Sequence, residues 1–311
     1  MSEMNNQRFT DADFAPVGGE IGLDPGSSRQ KTTYWKDVWR NFCKNKVAVV
    51  SLMIIVLLVF LVIFGPMMNE FDYRTNDYSA INHTPNTIHW FGTDTMGRDL
   101  WTRVWEGGRV SMLIALLATL IPEAIGMMVG GVSGYFGGKL DTFIMRAIDV
   151  LMGIPSLIYM ILLMLVFGSG NITTLVIAMS LTGWMGSARS TRGLILQLKG
   201  RDFVVASRTL GAPAWWIILK RLIPNTLGIR VVSITMSIPS VIFYEAFLSY
   251  IGLGVTPPAP SWGQLIKAAG ENFRYYPYQF IIPCALVGLT MLCFNLVGDG
   301  LRDALDPRLR S

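Results

Sequence analysis

Long stretches without charge fix what this chain can fold into. Residues 47–68 carry no charged side chain, 110–138 carry only Glu123, and 150–188 carry none. Residues 222–244 carry only Arg230, and 275–298 are again uncharged. A helix needs about 20 apolar residues to cross the hydrocarbon core of a bilayer. The 150–188 stretch is too long for one crossing, and Gly168, Ser169, Gly170 and Asn171 divide it. The sequence therefore predicts six spans, near 47–68, 112–133, 144–167, 172–190, 225–248 and 278–299. Backbone groups in lipid must be satisfied within the segment, so the expected class is an all-α integral membrane protein. A charged fraction of 15% and a mean hydropathy of +0.44 agree with that class.

The remaining charges sort by side. Arg29, Lys31, Lys36, Arg40, Lys44 and Lys46 precede the first span, and Arg189, Arg192, Lys199, Arg201, Arg208, Lys220 and Arg221 follow the fourth. Arg302, Arg308 and Arg310 follow the sixth. Basic loops stay cytoplasmic, which places both termini inside and makes the +5 net charge a topology signal rather than a nucleic-acid footprint. Residues 1–34 read as a mobile cytoplasmic tail. Residues 35–46 read as an amphipathic interfacial helix, with Trp35, Trp39 and Phe42 beside Lys36, Arg40 and Lys44, or as an extension of the first span. The remainder, 47–311, is the transmembrane domain, with an outer loop at 69–109 and a cytoplasmic loop at 191–224.

Catalytic signatures are missing. The stretch nearest to a phosphate-binding loop, residues 133–140, has Gly138-Lys139 but neither the leading Gly nor the following hydroxyl. The two histidines, His83 and His89, have no cysteine near them in sequence, and the spacing of Cys43, Cys284 and Cys293 suits no metal. No metal site and no enzyme activity are expected.

Several polar residues invite a role. Glu123, after Pro122 in mid-span, either lines a translocation path or accepts an interhelical hydrogen bond. Glu245 is expected near the outer end of the fifth span, as a charge at an outer mouth or gate. Arg230 reads as a residue that snorkels to the inner interface, and Arg146 with Asp149 as a local pair one helical turn apart. Pro122, Pro155, Pro239 and Pro283 are candidate kinks. Asp94, Arg98, Asp99 and Arg103, with Trp90 and Trp101, either dock an extracytoplasmic partner or hold their own loop together.

Residues 204–224, VVASRTLGAPAWWIILKRLIP, combine small residues with a helix-ending Gly211. They resemble the cytoplasmic Glu-Ala-Ala loop of bacterial ABC-importer permeases. Ala206, Gly211, Ile223 and Pro224 match that pattern, while Val205 stands for its Glu, Ser207 for its second Ala and Arg221 for an Ile. Further blocks resemble the peptide/nickel permease family: His89-Trp90-Phe91-Gly92-Thr93-Asp94 with Gly97-Arg98-Asp99 and Arg103, and Gly137-Gly138-Lys139-Leu140-Asp141 with Met145-Arg146, Asp149 and Pro155. So do residues 247–254 with Pro257-Pro258 and Pro260-Ser261-Trp262-Gly263, and the tail 294–308, which is similar to the C-type subunits of oligopeptide permeases.

The resemblance implies a type I ABC-importer architecture. It implies a heterodimer with a homologous B-type permease, two cytoplasmic ATPase subunits that bind ATP and Mg, an extracytoplasmic peptide-binding protein and a peptide substrate. This chain itself would bind no cofactor. Arg201, Asp202, Val205, Ala206, Ser207, Arg208, Leu210, Gly211 and Ala212 would form a coupling helix seated on one ATPase. Dipeptide or nickel import is the alternative within the family, and a stand-alone secondary transporter the alternative outside it. The implied location is the bacterial cytoplasmic membrane.

Overall fold

Three glycines four residues apart set the helix arrangement. The computed structural model describes residues 34–168 and 170–305. The tail expected at 1–34 lies outside the described residues except for Tyr34. Contacts gather the described residues from Val38 to Leu305 into one unit; of the unit that ends at Asp37, only the first turn of α1 is described. Among the described residues no strand forms, only two isolated bridges, Thr93 with Asp99 and Gly170 with Val255. The helices are α1 (Tyr34–Phe42), α2 (Lys46–Phe64), α3 (Leu100–Phe136), α4 (Gly138–Met152), α5 (Ser156–Phe167), α6 (Ile172–Leu198), α7 (Asp202–Thr209), α8 (Ala214–Ile217), α9 (Ile223–Tyr250), α10 (Trp262–Gly270) and α11 (Pro277–Leu305).

Gly126, Gly130 and Gly134 share one face of α3. A Cβ on Gly126 would lie 2.4 Å from the Ser187 side chain, and one on Gly130 would lie 2.2 Å from the Ala188 carbonyl oxygen. One on Gly134 would lie 2.9 Å from Ile195 Cβ. The backbones of α3 and α6 thus touch where no side chain intervenes, the small-residue packing that lets membrane helices associate. Partner numbers rise together along both helices, so α3 and α6 run parallel. Parallel neighbours need a connection that returns, and α4 with α5 supplies it.

That return is bent. α4 and α5 meet at 84°, with Gly153 capping the first and Pro155 starting the second. Proline has no N–H and disfavours helix in the residue before it, so the helix ends there. The span expected at 144–167 is therefore two helices. Pro122, Pro239 and Pro283 lie inside continuous helices.

Lys46–Met67, Leu100–Phe136, Ala214–Tyr250 and Pro277–Leu305 are long and apolar enough to cross a membrane, and the bent pair makes a fifth if it counts as one span. Among the described residues, four to five spans by length and composition stand against six expected. With the bent pair counted, the difference is α6, whose 27 residues suffice in length but include Ser, Thr and Gly at the α3 contact and Arg189 and Arg192 within the same stretch. The composition that permits close packing lowers its apolarity. Helix boundaries differ as well. The outer loop ends at Asp99, ten residues before its expected end, because Asp99 caps α3 by accepting from Thr102 N. α1 faces inward through Val38 and Phe42, so Phe42 is buried rather than interfacial, while Trp39 stacks on it from outside.

Large apolar side chains cover the outside. Val56, Leu57, Phe60 and Ile63 on α2, and Leu113, Leu116 and Leu120 on α3, are exposed. Water would penalise each at about 1.5–3 kcal/mol, whereas hydrocarbon does not.

Replacing Gly130 with Leu should cost about 3 kcal/mol, the upper end of overpacking, because the contact is backbone and cannot move aside. A thermal scan of the purified protein by size-exclusion fluorescence should show a clearly lower transition for Gly130→Leu. Gly193→Leu, where nothing lies within 4 Å of the added Cβ, should melt near the wild type.

Candidate functional site

The loop between α6 and α9 is built as a platform on three helices. Val204 of α7 is buried with Ile195 of α6, Ile217 of α8, and Ile218 and Leu222 of the following turn; Tyr135 of α3 packs beside them. The turn at Ile218–Leu222 is a π-helix. Pro224 has no N–H for the Lys220 carbonyl, and the preceding turn widens. Lys199 Nζ donates to the Gly134 carbonyl at 3.1 Å, capping the end of the α3–α6 seam.

α7 ends abruptly. Ala212 N donates to Ser207 O at 3.1 Å and Gly211 N to Arg208 O at 3.0 Å, the paired bonds of a Schellman cap. Gly211 has φ +77°, which favours glycine, and no atom lies within 4 Å of where its Cβ would be. The nine residues expected to couple divide by direction. Asp202, Val205, Ala206 and Gly211 face outward with Arg201, and Leu210 is 87% exposed. Ser207 turns inward and donates to Phe203 O at 2.7 Å. Arg208 stacks over Tyr135 at 5.5 Å, and Ala212 packs against the cluster beneath.

Glu123 and Arg230 meet across α3 and α9. Arg230 Nη1 lies 3.2 Å from Glu123 Oε1, and its Nη2 donates to Ser190 Oγ at 2.8 Å. Arg230 is 1% exposed. It does not snorkel, because its partner is inside and leaving would strand the Glu123 charge. The pair lines a cleft of about 290 Å³ between α3, α6 and α9, with Thr119, Ser187, Ser233 and Ser237.

Glu245 was expected at an outer mouth, but it is 0% exposed. Ser111 Oγ donates to its Oε2 at 2.8 Å and Ser249 Oγ to its Oε1 at 2.9 Å. It fastens α3 to α9 from within. Arg146 and Asp149 do not pair. Asp149 binds Arg189 of α6, while Arg146 lines an open cleft with Gly138 and Phe143. Near the same end Arg192 bridges both oxygens of Asp141, which also accepts from Ser133. Nothing local in the sequence signals this α3–α4–α6 knot, since its partners stand 51 residues apart.

The outer charges close on themselves. Asp94 accepts from Arg98 Nε at 2.8 Å and pairs with Arg103 at 3.5 Å, and Arg103 Nη1 donates to Tyr73 O at 3.2 Å. Asp99 accepts from Asn69 at 2.8 Å and Thr102, and its Oδ1 lies 2.9 Å from His89 Nδ1. Gly97 holds the turn between them at φ +74°, where a Cβ would strike the Asp77 carbonyl oxygen at 1.7 Å. Ser79 donates twice to Asp77 and holds its carboxyl below the usual range. Tyr278 and Gln279 of α11 donate to His83 O and Thr93 O at 2.9 and 2.8 Å, tying the loop down.

Comparison with known proteins decides the family. Residues 124–311 match the binding-protein-dependent transport system inner membrane component, and residues 33–85 match the N-terminal TM domain of oligopeptide transport permease C. The chain belongs to the binding-protein-dependent transport permeases. It is 43% identical to the oligopeptide transport system permease protein OppC of Bacillus subtilis, over 96% of this chain and 97% of that one. It is 42% identical to the dipeptide transport system permease protein DppC of the same organism, over 91% and 88%. A solved structure of the methionine ABC transporter MetNI in inward-facing conformations overlays 66% of this chain and 96% of that one, at TM-score 0.49 and 18% identity. This permease is therefore a membrane transport protein of that family.

Removing one partner of a buried ion pair costs about 3–5 kcal/mol because the other charge stays buried. Arg230→Met should therefore lower the melting transition strongly. Adding Glu123→Gln to it should recover most of the loss, and a double variant no better than the single one would mean the pair is not coupled.

Proposed function

We propose that this chain is the C-type permease subunit of an ATP-driven oligopeptide importer. It forms half of the translocation path beside a homologous permease subunit. Two ATPase subunits bind ATP and Mg on the cytoplasmic side, and a peptide-binding protein delivers substrate from outside. The observation that carries this reading is α7, a short helix whose inner side is locked onto α3, α6 and α9 and whose outer side presents Val205, Ala206, Leu210 and Gly211 bare. A rigid helix whose free face is apolar at Val205, Ala206 and Leu210, with Arg201 and Asp202 at its start, suits a cleft on another protein, and a push there reaches three helices at once. Val205 in place of the family's Glu makes that contact apolar.

Six crossings with both termini cytoplasmic fit the parallel α3–α6 pair, since α4–α5 must cross back between them. The basic residues beside α7 put that end inside. The outer loop docks the binding protein as a preformed shape. Asp94, Arg98, Asp99 and Arg103 maintain it, and exposed neighbours such as Tyr78, Ile88 and Met96 make the contact. Oligopeptide and dipeptide relatives are almost equally similar, so the substrate is a short peptide and its length is set by the binding protein.

Proteoliposomes holding the whole complex should accumulate labelled trialanine only when the ATPases hydrolyse ATP. Accumulation with hydrolysis-dead ATPases would favour a stand-alone carrier. Gly211→Val should insert normally, yet lose roughly tenfold in coupled uptake, because a β-branched residue at this φ costs about 1–2 kcal/mol and unwinds the cap. Undiminished uptake would remove Gly211 from the joint.

A further inference from the structure

The Glu123 cleft is lined mainly by hydroxyl and carboxylate oxygens, with Arg230 as its one cation. Ser233 Oγ donates to Ile229 O at 3.2 Å, Ser237 Oγ to Ile234 O at 2.9 Å and Ser187 Oγ to Glu123 O at 3.4 Å. Their protons are committed to backbone carbonyls, so what they offer the cleft is lone pairs. Thr119, 4% exposed, lines the same cleft, and its Oγ1 has no hydrogen-bond partner among the described residues. Glu123 has one oxygen on Arg230, and its Oε2 makes no hydrogen bond among the described residues. Arg230 lines the cleft beside it, with its Nη atoms on Glu123 and Ser190 and its buried Nε without a hydrogen-bond partner among the described residues. The cleft is therefore a carboxylate oxygen set among hydroxyl acceptors, with the Arg230 charge in its wall already engaged by Glu123 Oε1.

From this geometry we infer that the cleft receives a primary ammonium, namely the free amino terminus of the peptide in transit. This rests on the peptide-import reading and deepens it. An ammonium carries three donors and no acceptor, and Glu123 Oε2, Thr119 Oγ1 and one serine hydroxyl can take all three. Side chains vary between peptides while the amino terminus does not. A path that tolerates many sequences gains a constant handle by reading that end. Lysine carries the same group, but only some peptides contain it.

The test uses the complete transporter in nanodiscs, with Cys43, Cys284 and Cys293 replaced by alanine and Ser237→Cys as a reporter on the cleft wall. Two thiosulfonate reagents are compared, one bearing a quaternary ammonium and one a sulfonate, each normalised to its rate with free cysteine. The ammonium reagent should react at least about threefold faster, the signature of a carboxylate facing the cleft. Glu123→Gln should abolish the preference and Glu123→Asp should restore it. Equal normalised rates in the parent would overturn the site.

The second readout is protection of Ser237→Cys during turnover with the binding protein saturated. Trialanine should slow labelling severalfold and N-acetyl-trialanine should not. Equal protection by both, or protection by N-acetyl-Ala-Lys-Ala but not by trialanine, would overturn the amino-terminal assignment. Thr119→Val, which removes an acceptor without touching the ion pair, should weaken trialanine protection by about tenfold, one lost charge-assisted hydrogen bond. It keeps the test decisive if Glu123→Gln fails to assemble. Reagent selectivity needs no transport. If it stands while ATP-driven uptake is absent, the importer reading fails and the ammonium site remains.

Discussion

The direct contact of the α3 and α6 backbones is what the other features depend on. Inside a membrane no hydrophobic drive pulls helices together, so close packing must supply the attraction. Gly126, Gly130 and Gly134 let the Ser187 side chain, the Ala188 carbonyl and Ile195 sit where a side chain would otherwise stand. The seam fixes α3 and α6 as a parallel pair and obliges α4–α5 to return between them. Its far end, through Gly134, Lys199, Ile195 and Tyr135, is also the seat of α7. The cleft of Glu123 and Arg230 opens beside the same pair. One packing decision therefore connects the proposed joint to the proposed path.

Buried charges do the second job. α9 is tied to α3 twice, by Glu123 with Arg230 and by Glu245 with Ser111. A buried pair adds little net stability over an apolar replacement, but breaking one is costly, so such pairs define which arrangement is allowed. The outer loop follows the same logic. Asp94 and Asp99 are each shared among several donors, and the loop keeps its shape without a sheet or a disulfide.

Much of this was legible in the residues. Uncharged runs located the apolar helices, and the small residues and Gly211 marked the α7 platform and its end. The Glu123–Arg230 pair leaves its trace too, since each is the lone charge in its run. The stripe Gly126, Gly130, Gly134 was likewise visible at a spacing of four. Other features were not. Ser207 alternates inward only because α7 is a helix lying on Tyr135 and Ile195. Arg189 rather than Arg146 meets Asp149 because α4 and α6 lie side by side, a matter of tertiary packing over forty residues. The bend at Pro155 and the unbroken passage of Pro122, Pro239 and Pro283 depend on neighbours able to support the missing hydrogen bond.

If the seam makes α3 and α6 one piece, the importing cycle must move that piece whole, and α9 can shift against it only by turning about its Glu123–Arg230 and Ser111–Glu245 ties. Pulsed electron-spin distances test this directly, with labels at exposed Met128 on α3, Leu181 on α6 and Val231 on α9. Between the nucleotide-free and ATP-bound complex, the Met128–Leu181 distance should hold within about 2 Å while Met128–Val231 shifts by more, on the scale of a helix displacement. A Met128–Leu181 distance that changes as much as Met128–Val231 would contradict the account.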